Sequence, residues 1–213
     1  MAGEMMETRD HWENIYLTRT ANQLSWYQER PDRSLRFIQR TGVSKDAHII
    51  DVGGGTSSLV AELLASGFDS LTVLDVSPAA LQAARDRLGT LASAVTWFEA
   101  DILQAGLPEN YYDVWHDRAT FHFLIQPADR QRYVKAVLHS LKPGGHLILA
   151  TFALDGPPRC SGLEVMRYSP ESLHAGFGSD FELADSDREV HTTPSGMEQR
   201  FIYCWLRRRS EAS

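Results

Sequence analysis

The sequence predicts an α/β protein: a seven-stranded, mostly parallel Rossmann-like sheet with helices on both faces and an antiparallel C-terminal hairpin. Three observations predict it. Short apolar runs alternate with stretches of helical periodicity between residues 47 and 152, the pattern of a parallel sheet with crossover helices. Three consecutive glycines, Gly53-Gly54-Gly55, separate the first apolar run from a helix start. The last two strand-like segments are joined by Thr192–Met197, too short for a crossover helix, so that pair must be antiparallel.

Residues 10–40 have helical character with a break near Pro31, and His11, Trp12, Ile15 and Tyr16 share one helical face. Ala47–Val52 forms a compact apolar strand, and Ser57–Ser66 a helix with Leu59, Val60, Leu63 and Leu64 inward. Ser70–Val76 is the second strand. Ser77-Pro78 supplies a capping hydroxyl and a first-turn proline for a helix running from Ala79 to about Leu88. Ala94–Ala100 and Tyr112–His116 are the third and fourth strands. A helix opened by Pro127 carries Tyr133, Val134, Val137, Leu138 and Leu141 and is closed by Lys142-Pro143-Gly144-Gly145; His146–Phe152 follows as the fifth strand. Phe181–His191 and Glu198–Arg207 make the hairpin. One domain is expected over 1–213: a helical cap (1–45), a core (46–153) and a segment with the terminal hairpin (154–213).

Composition narrows the function. The chain has 213 residues, 43% hydrophobic and 23% charged, with 21 Lys plus Arg against 28 Asp plus Glu and a net charge of −7. That acidic balance argues against nucleic acid as a partner, because phosphate-backbone binding needs clustered cations. The basic run Arg207-Arg208-Arg209 is expected to be solvated chain end. Cys160 and Cys204 are far apart and fit a reduced, cytoplasmic setting. No apolar run approaches membrane-spanning length, so no membrane association is expected. No ligand cluster with zinc spacing appears.

In an open parallel sheet, ligands bind beyond the carboxyl ends of the strands, near the point where strand order reverses. Asp51, Asp75 and Asp101 lie at or just past the ends of the first three strands, and Asp75 is 20 residues past Gly55, where a carboxylate meets a ribose diol in nucleotide folds. The rival reading of Asp75 and Asp101 is helix capping. Gly53-x-Gly55-x-x-Ser58 lacks the third glycine of the dinucleotide fingerprint, and no phosphate-cradling lysine follows the loop. A nucleoside without phosphates suits this acidic surround better. A nicotinamide-dependent oxidoreductase and a non-catalytic nucleoside-binding module are the alternatives from other classes.

The segments DVGGGTSSL, LDVSPAAL, EADI, DVWHDRATFHFL and LKPGGHLILATF resemble, in order and spacing, those of class I S-adenosylmethionine-dependent methyltransferases, over roughly residues 11–155. HWENIY, LSWYQ and GGGTSSL are similar to the branch that methylates lysines of elongation factors and citrate synthase. That branch commonly has Asp/Glu-Lys-Gly-Thr after the fourth strand, where this chain has Asp117-Arg118-Ala119-Thr120.

The resemblance implies S-adenosylmethionine as cofactor, S-adenosylhomocysteine as product, and an acceptor that is a protein lysine or a small metabolite. It implies that Gly53 and Gly55 admit the methionine part of the cofactor, where a side chain would occupy its space. Asp75 would take the ribose hydroxyls beside Val76, and Asp101 and the Ile102 N–H the adenine. Arg118, expected just past the fourth strand, would contact the cofactor through its backbone, and Asp117 would either meet the ammonium or cap the strand end. Trp12, Tyr16 and Trp26 match aromatic positions that close over the cofactor. Such a wall attracts a sulfonium without offering a nucleophile, though an aromatic stripe packed on the sheet would look the same. His122, five residues past Asp117, is the best-placed titrating group for a general base; its other reading is a packed histidine. Arg167 and Tyr168 are further candidates to reach a substrate, and the Pro/Gly-rich loop Asp155–Gly162 is expected to form a lid or rim.

Overall fold

The computed structural model describes the backbone of residues 2–210 and the side chains of residues 9–210. In chain order the elements are α1 (Ala2–Thr18), a 3-10 turn (Ala21–Gln23), α2 (Asp32–Arg40), β1 (Ile49–Val52), α3 (Leu59–Ala65), β2 (Leu71–Asp75), α4 (Pro78–Leu88), β3 (Val95–Glu99) and β4 (Tyr112–Arg118). There follow α5 (Pro127–Ser140), β5 (Leu141–Phe152), a short ribbon of β6 (Arg159–Cys160) and β7 (Leu163–Glu164), α6 (Pro170–Phe177), β8 (Phe181–Thr192) and β9 (Glu198–Arg208).

The large sheet has seven strands in the order β3-β2-β1-β4-β5-β9-β8. β1 to β5 pair in parallel; β9 runs antiparallel to β5, and β8 antiparallel to β9. Strand order therefore reverses between β1 and β4. All side chains of β1 and β2 are buried, as a sheet covered on both faces demands. Alternate residues feed two cores: Ile50, Val52, Trp115, Leu147 and Leu149 pack with Tyr133 and Val137 of α5. Ile49, Val114, Ile148 and Ala150 pack with Phe37 and Ile38 of α2, Leu59 and Leu63 of α3 and Leu81 of α4.

Several expected boundaries change. The break in residues 10–40 extends from the end of α1 to the start of α2, with only the 3-10 turn inside it. β5 begins at Leu141, so Lys142-Pro143-Gly144-Gly145 lies within the strand rather than closing α5. The register shifts there, from Tyr112 opposite Leu141 to Val114 opposite His146, and such a bulge tolerates a proline. β4 runs on to Arg118, making that residue the last of the strand. Helix α6 and the β6–β7 ribbon were not anticipated. Arg33, Arg36 and Arg40 on one side of α2 form ion pairs with Asp185 and Asp187 of β8, fastening the N-terminal segment to the hairpin.

Candidate active site

The glycine turn sits at the β1–β4 fork, with Gly53 and Gly55 at φ of 66° and 41°. Both Gly53 and Gly54 donate their N–H to the Leu74 carbonyl, at 2.8 and 3.2 Å. A Cβ on Gly53 would run into Thr120 Oγ1. One on Gly54 would lie 2.8 Å from Asp51 Oδ2, and one on Gly55 2.6 Å from the Tyr16 hydroxyl and 3.0 Å from Asp75 Oδ2. The immediate neighbours that exclude a side chain are thus the protein's own groups, from α1, β1, β2 and the loop after β4. The expectation that ligand space alone keeps these positions bare needs that correction.

Beyond the strand ends lies a cavity with about 830 Å3 of atom-free space, part of it open to solvent. It is lined by Trp12, Tyr16, Trp26, Gly53, Asp75, Val76, Asp101, Ile102 and Arg118, and also by Leu74, Ala100, Ala119, Thr120, Phe123, Leu124 and Cys160. Gly55 stands behind Tyr16 and Asp75. Trp12 meets Trp26 edge-on at 5.8 Å and Phe123 at 4.9 Å, while Tyr16 meets Trp26 at 6.1 Å. The aromatic face of α1 therefore packs against the cavity's other aromatics as well as forming its wall. Phe123, Leu124 and Cys160 were missed. The first two lie in the apolar run TFHFL, where a 3-10 turn decides which side chains face the cavity.

Asp75 is almost fully buried and accepts the Ser77 N–H at 2.9 Å. Burial pushes its carboxyl up to about 7; the Ser77 N–H opposes the rise and the charge of Asp51 adds to it. Burial, then Asp75, raises the Tyr16 phenol well above its usual value, so it stays protonated. Asp101 lines the cavity while its Oδ1 accepts the Leu103 N–H at 2.9 Å. The Cys160 thiol, raised by burial, is neutral.

Asp117 has no exposed surface and is absent from the cavity wall. It accepts the Thr120 N–H at 2.9 Å, the Phe121 N–H at 3.1 Å and the Tyr133 hydroxyl at 2.5 Å. Burial raises it to about 6, against those three bonds. It is a strand-end cap that shapes the 118–121 turn, and a contact with an ammonium has no place there. Within that turn Ala119 adopts φ 71°, a left-handed conformation that a Cβ disfavours. Ala119→Gly should therefore raise stability by about 1 kcal/mol, measured as the urea midpoint, because strain relief outweighs the added chain entropy.

His122 does not line the cavity. It is fully buried, packs on Phe123 and Phe152 at 4.5 and 4.7 Å, and its Nδ1 accepts the Phe152 N–H at 3.4 Å. Burial, with Arg118 adding to it, pushes the imidazole down to about 3, so it stays neutral. The general-base role expected from sequence gives way to a packing role, because the turn aims the ring inward. Tyr168 is buried against Phe121, and Arg167 binds the carbonyls of Leu154 and Gly156; neither lines the cavity. The Asp155–Gly162 loop does contribute, through Cys160 at the end of β6.

A second cavity adjoins the first across the glycine turn, sharing Trp26, Gly53 and Arg118 and adding Ser34, Asp51, Gly54 and His116. Asp51 Oδ1 is 2.7 Å from His116 Nδ1, and His116 Nε2 is 2.9 Å from Ser34 Oγ. Asp51 Oδ2 and Arg118 Nη2 are buried without a hydrogen-bond partner. A carboxylate and a guanidinium, each with an unused atom, suit a zwitterion such as an α-amino acid. A buried carboxylate at the β2 end suits a diol. Together the two cavities have the donors and acceptors that an amino-acid-bearing nucleoside requires.

Residues 49–145 match a family model described as "Methyltransferase domain". The chain is 24% identical over 196 residues to EEF1A lysine methyltransferase 2 of Homo sapiens, covering 84% of this chain and 75% of the relative. It is 28% identical over 126 residues to the ubiquinone/menaquinone biosynthesis C-methyltransferase UbiE of Ectopseudomonas mendocina, covering 57% of this chain and 48% of the relative. Its fold superposes, with a TM-score of 0.78 and 17% identity, on a chain solved in work on "Conversion of a Disulfide Bond into a Thioacetal Group during Echinomycin Biosynthesis", covering 97% of this chain and 94% of that one. Residues 49–145 are a methyltransferase domain of the class I type. Solved structures that share the fold include a SAM-dependent methyltransferase from Methanosarcina mazei, with a TM-score of 0.69 and 18% identity, covering 82% of this chain and 98% of that one. No helix among the described residues is long and apolar enough to cross a membrane.

Proposed function

We propose that the chain uses S-adenosylmethionine as its methyl donor and takes as acceptor the side-chain amine of a protein lysine. One observation carries this: the match to the human lysine methyltransferase extends over 84% of the chain, beyond the cofactor core, whereas the match to the quinone-pathway enzyme covers 57%. The segments outside the core include α1 and the Trp26 loop, whose aromatics wall the cavity.

In this reading the nucleoside is held in the first cavity, with Asp75 accepting from the ribose hydroxyls and Val76, Asp101 and Ile102 around the adenine. The amino-acid end is held in the second, its ammonium by Asp51 and its carboxylate by Arg118, next to Gly53 and Gly54. When bound, S-adenosylmethionine supplies an electrophilic methyl group on an excellent leaving group. The chain's own task is to align the acceptor and exclude water, and alignment alone is worth about 7–11 kcal/mol of barrier. Trp12, Trp26, Phe123 and Leu124 make the wall largely apolar. Such a wall excludes water from the acceptor. The two cysteines are free and buried, which suits the reducing cytoplasm.

Incubation of the purified protein with methyl-labelled S-adenosylmethionine and a whole-cell lysate tests the acceptor. Label should enter the protein fraction and emerge as methyl-lysine after acid hydrolysis. Label confined to the small-molecule fraction would overturn a protein acceptor.

A further inference from the structure

Asp51 and Arg118 are joined through the interior by a continuous hydrogen-bonded chain that methyl transfer does not itself require. Arg118 Nε donates to the Tyr203 hydroxyl at 3.1 Å. Tyr203 lies 3.5 Å from Ser34 Oγ, Ser34 is 2.9 Å from His116 Nε2, and His116 Nδ1 is 2.7 Å from Asp51 Oδ1. A guanidinium can only donate and a carboxylate can only accept, so Tyr203 accepts from Arg118 and His116 Nδ1–H donates to Asp51. Between those ends the Ser34 hydroxyl, which can both donate and accept, links His116 Nε2 to the Tyr203 hydroxyl. Ser34, Tyr203 and His116 are all at least 98% buried, and they come from α2, β9 and β4.

The arrangement of Asp51, His116 and Ser34 has the connectivity of a nucleophilic triad. Ser34, however, has no exposed surface and is shared with Tyr203, so the chain is a relay between two fixed charges. At one end Asp51 offers one oxygen to His116 and leaves Oδ2 unpartnered under Gly54. At the other, Arg118 gives Nε to Tyr203 and Nη1 to the Trp26 carbonyl, while Nη2 stands 3.6 Å from Glu189 Oε2 without a hydrogen bond.

We propose that His116, with Ser34 and Tyr203, is a positioning relay. It holds the Asp51 carboxylate and the Arg118 guanidinium in the rotamers that recognise the α-amino-acid end of the cofactor. Selectivity for ligands carrying that end, over the same thioether nucleoside without it, resides in this relay. The inference rests on the reading that the second cavity takes the amino-acid end.

Calorimetry with S-adenosylhomocysteine and with 5′-methylthioadenosine, which keeps the nucleoside and sulfur but has no amino acid, separates a positioning role from a structural one. His116→Phe should weaken S-adenosylhomocysteine about ten- to a hundredfold, the scale of a lost charged hydrogen bond, and leave methylthioadenosine within about twofold. His116→Asn, which can return an amide N–H to the Nδ1 position, should recover most of that loss. Ser34→Ala removes one link with less disturbance and should shift the same ratio by about threefold, so the test survives if the Phe variant does not fold. Equal losses for both ligands in the His116 and Ser34 variants would make the chain merely structural and overturn the relay. Asp51→Asn addresses the placement separately. If it leaves the ratio unchanged, the amino-acid end lies elsewhere; if it collapses the ratio while the His116 and Ser34 variants do not, the relay alone fails.

Discussion

Asp75→Asn should lower the affinity for S-adenosylhomocysteine by roughly thirty- to a hundredfold, about 2–3 kcal/mol, and at the same time stabilise the ligand-free protein. The loss follows from exchanging a charged acceptor, able to serve two hydroxyls, for a neutral amide oxygen. The gain follows from burial. The carboxyl is raised from its ordinary value of 3.8 to about 7, chiefly by desolvation. Between those values the folded protein binds a proton that the unfolded chain has released. This group's favourable contribution to stability is thus present below the ordinary carboxylate value and is lost as pH rises through about 7. Asparagine is neutral throughout, so its advantage should appear above pH ~7 and vanish below pH ~4. Three pH units set a ceiling of about 4 kcal/mol, and about 2 kcal/mol is the expected gain in urea unfolding near pH ~8. Wild-type affinity should itself fall as pH drops below about 7, because the proton competes with the diol, whereas the variant's affinity should be flat. An unchanged affinity in the variant would remove Asp75 from the ribose site.

The second large effect is expected from Arg118→Met. This guanidinium donates to the Trp26 carbonyl at 3.0 Å and to Tyr203 at 3.1 Å, lies 4.5 Å over the Phe201 ring, and faces Glu189. Its side chain is 10% exposed and that of Glu189 12%. Truncation leaves Glu189 with Gln28 at 3.2 Å and Arg33 at 3.8 Å. A buried carboxylate deprived of its main counter-charge costs about 3 kcal/mol, and urea unfolding should show a loss of that size. Adding Glu189→Gln should recover about 1 kcal/mol or more, since the stranded charge is then removed. The Trp26 loop also loses an anchor, so limited proteolysis should cut faster between residues 19 and 31. A cost below about 1 kcal/mol with no recovery in the double variant would show that Glu189 and Trp26 do not depend on Arg118.

The parts of the site that were legible in the sequence share a cause. Gly53, Asp75, Val76, Asp101 and Ile102 sit at fixed offsets from strands that the apolar pattern identifies. Strand ends of a parallel sheet converge on one edge whatever the side chains between them do. Trp12 and Tyr16 were legible because four residues bring two side chains to one helical face. His122 was misplaced by the same logic applied where it does not hold. Its closeness to Asp117 along the chain says nothing of where a 3-10 turn aims its ring, and the ring went into the core. Arg118 was expected to act through its backbone, but its side chain is the tie among β4, the Trp26 loop and the hairpin. Ser34, His116 and Tyr203 carried no local signal, since each lies in an element whose periodicity requires a buried residue of some kind.

The alternation of apolar runs, the bare turn and the short final link were enough to specify a doubly wound sheet and the edge at which the cavity lies. These are local properties: hydrophobic period, turn conformation and link length act within a few residues of chain. Whether Asp117 serves a ligand or a strand end, whether His122 can exchange a proton, and which polar groups complete the second cavity depended on contacts between distant segments. Burial and hydrogen-bond partners are set only when the elements pack, and in this protein α2, β4 and β9 had to meet before Ser34, His116 and Tyr203 could link Asp51 to Arg118.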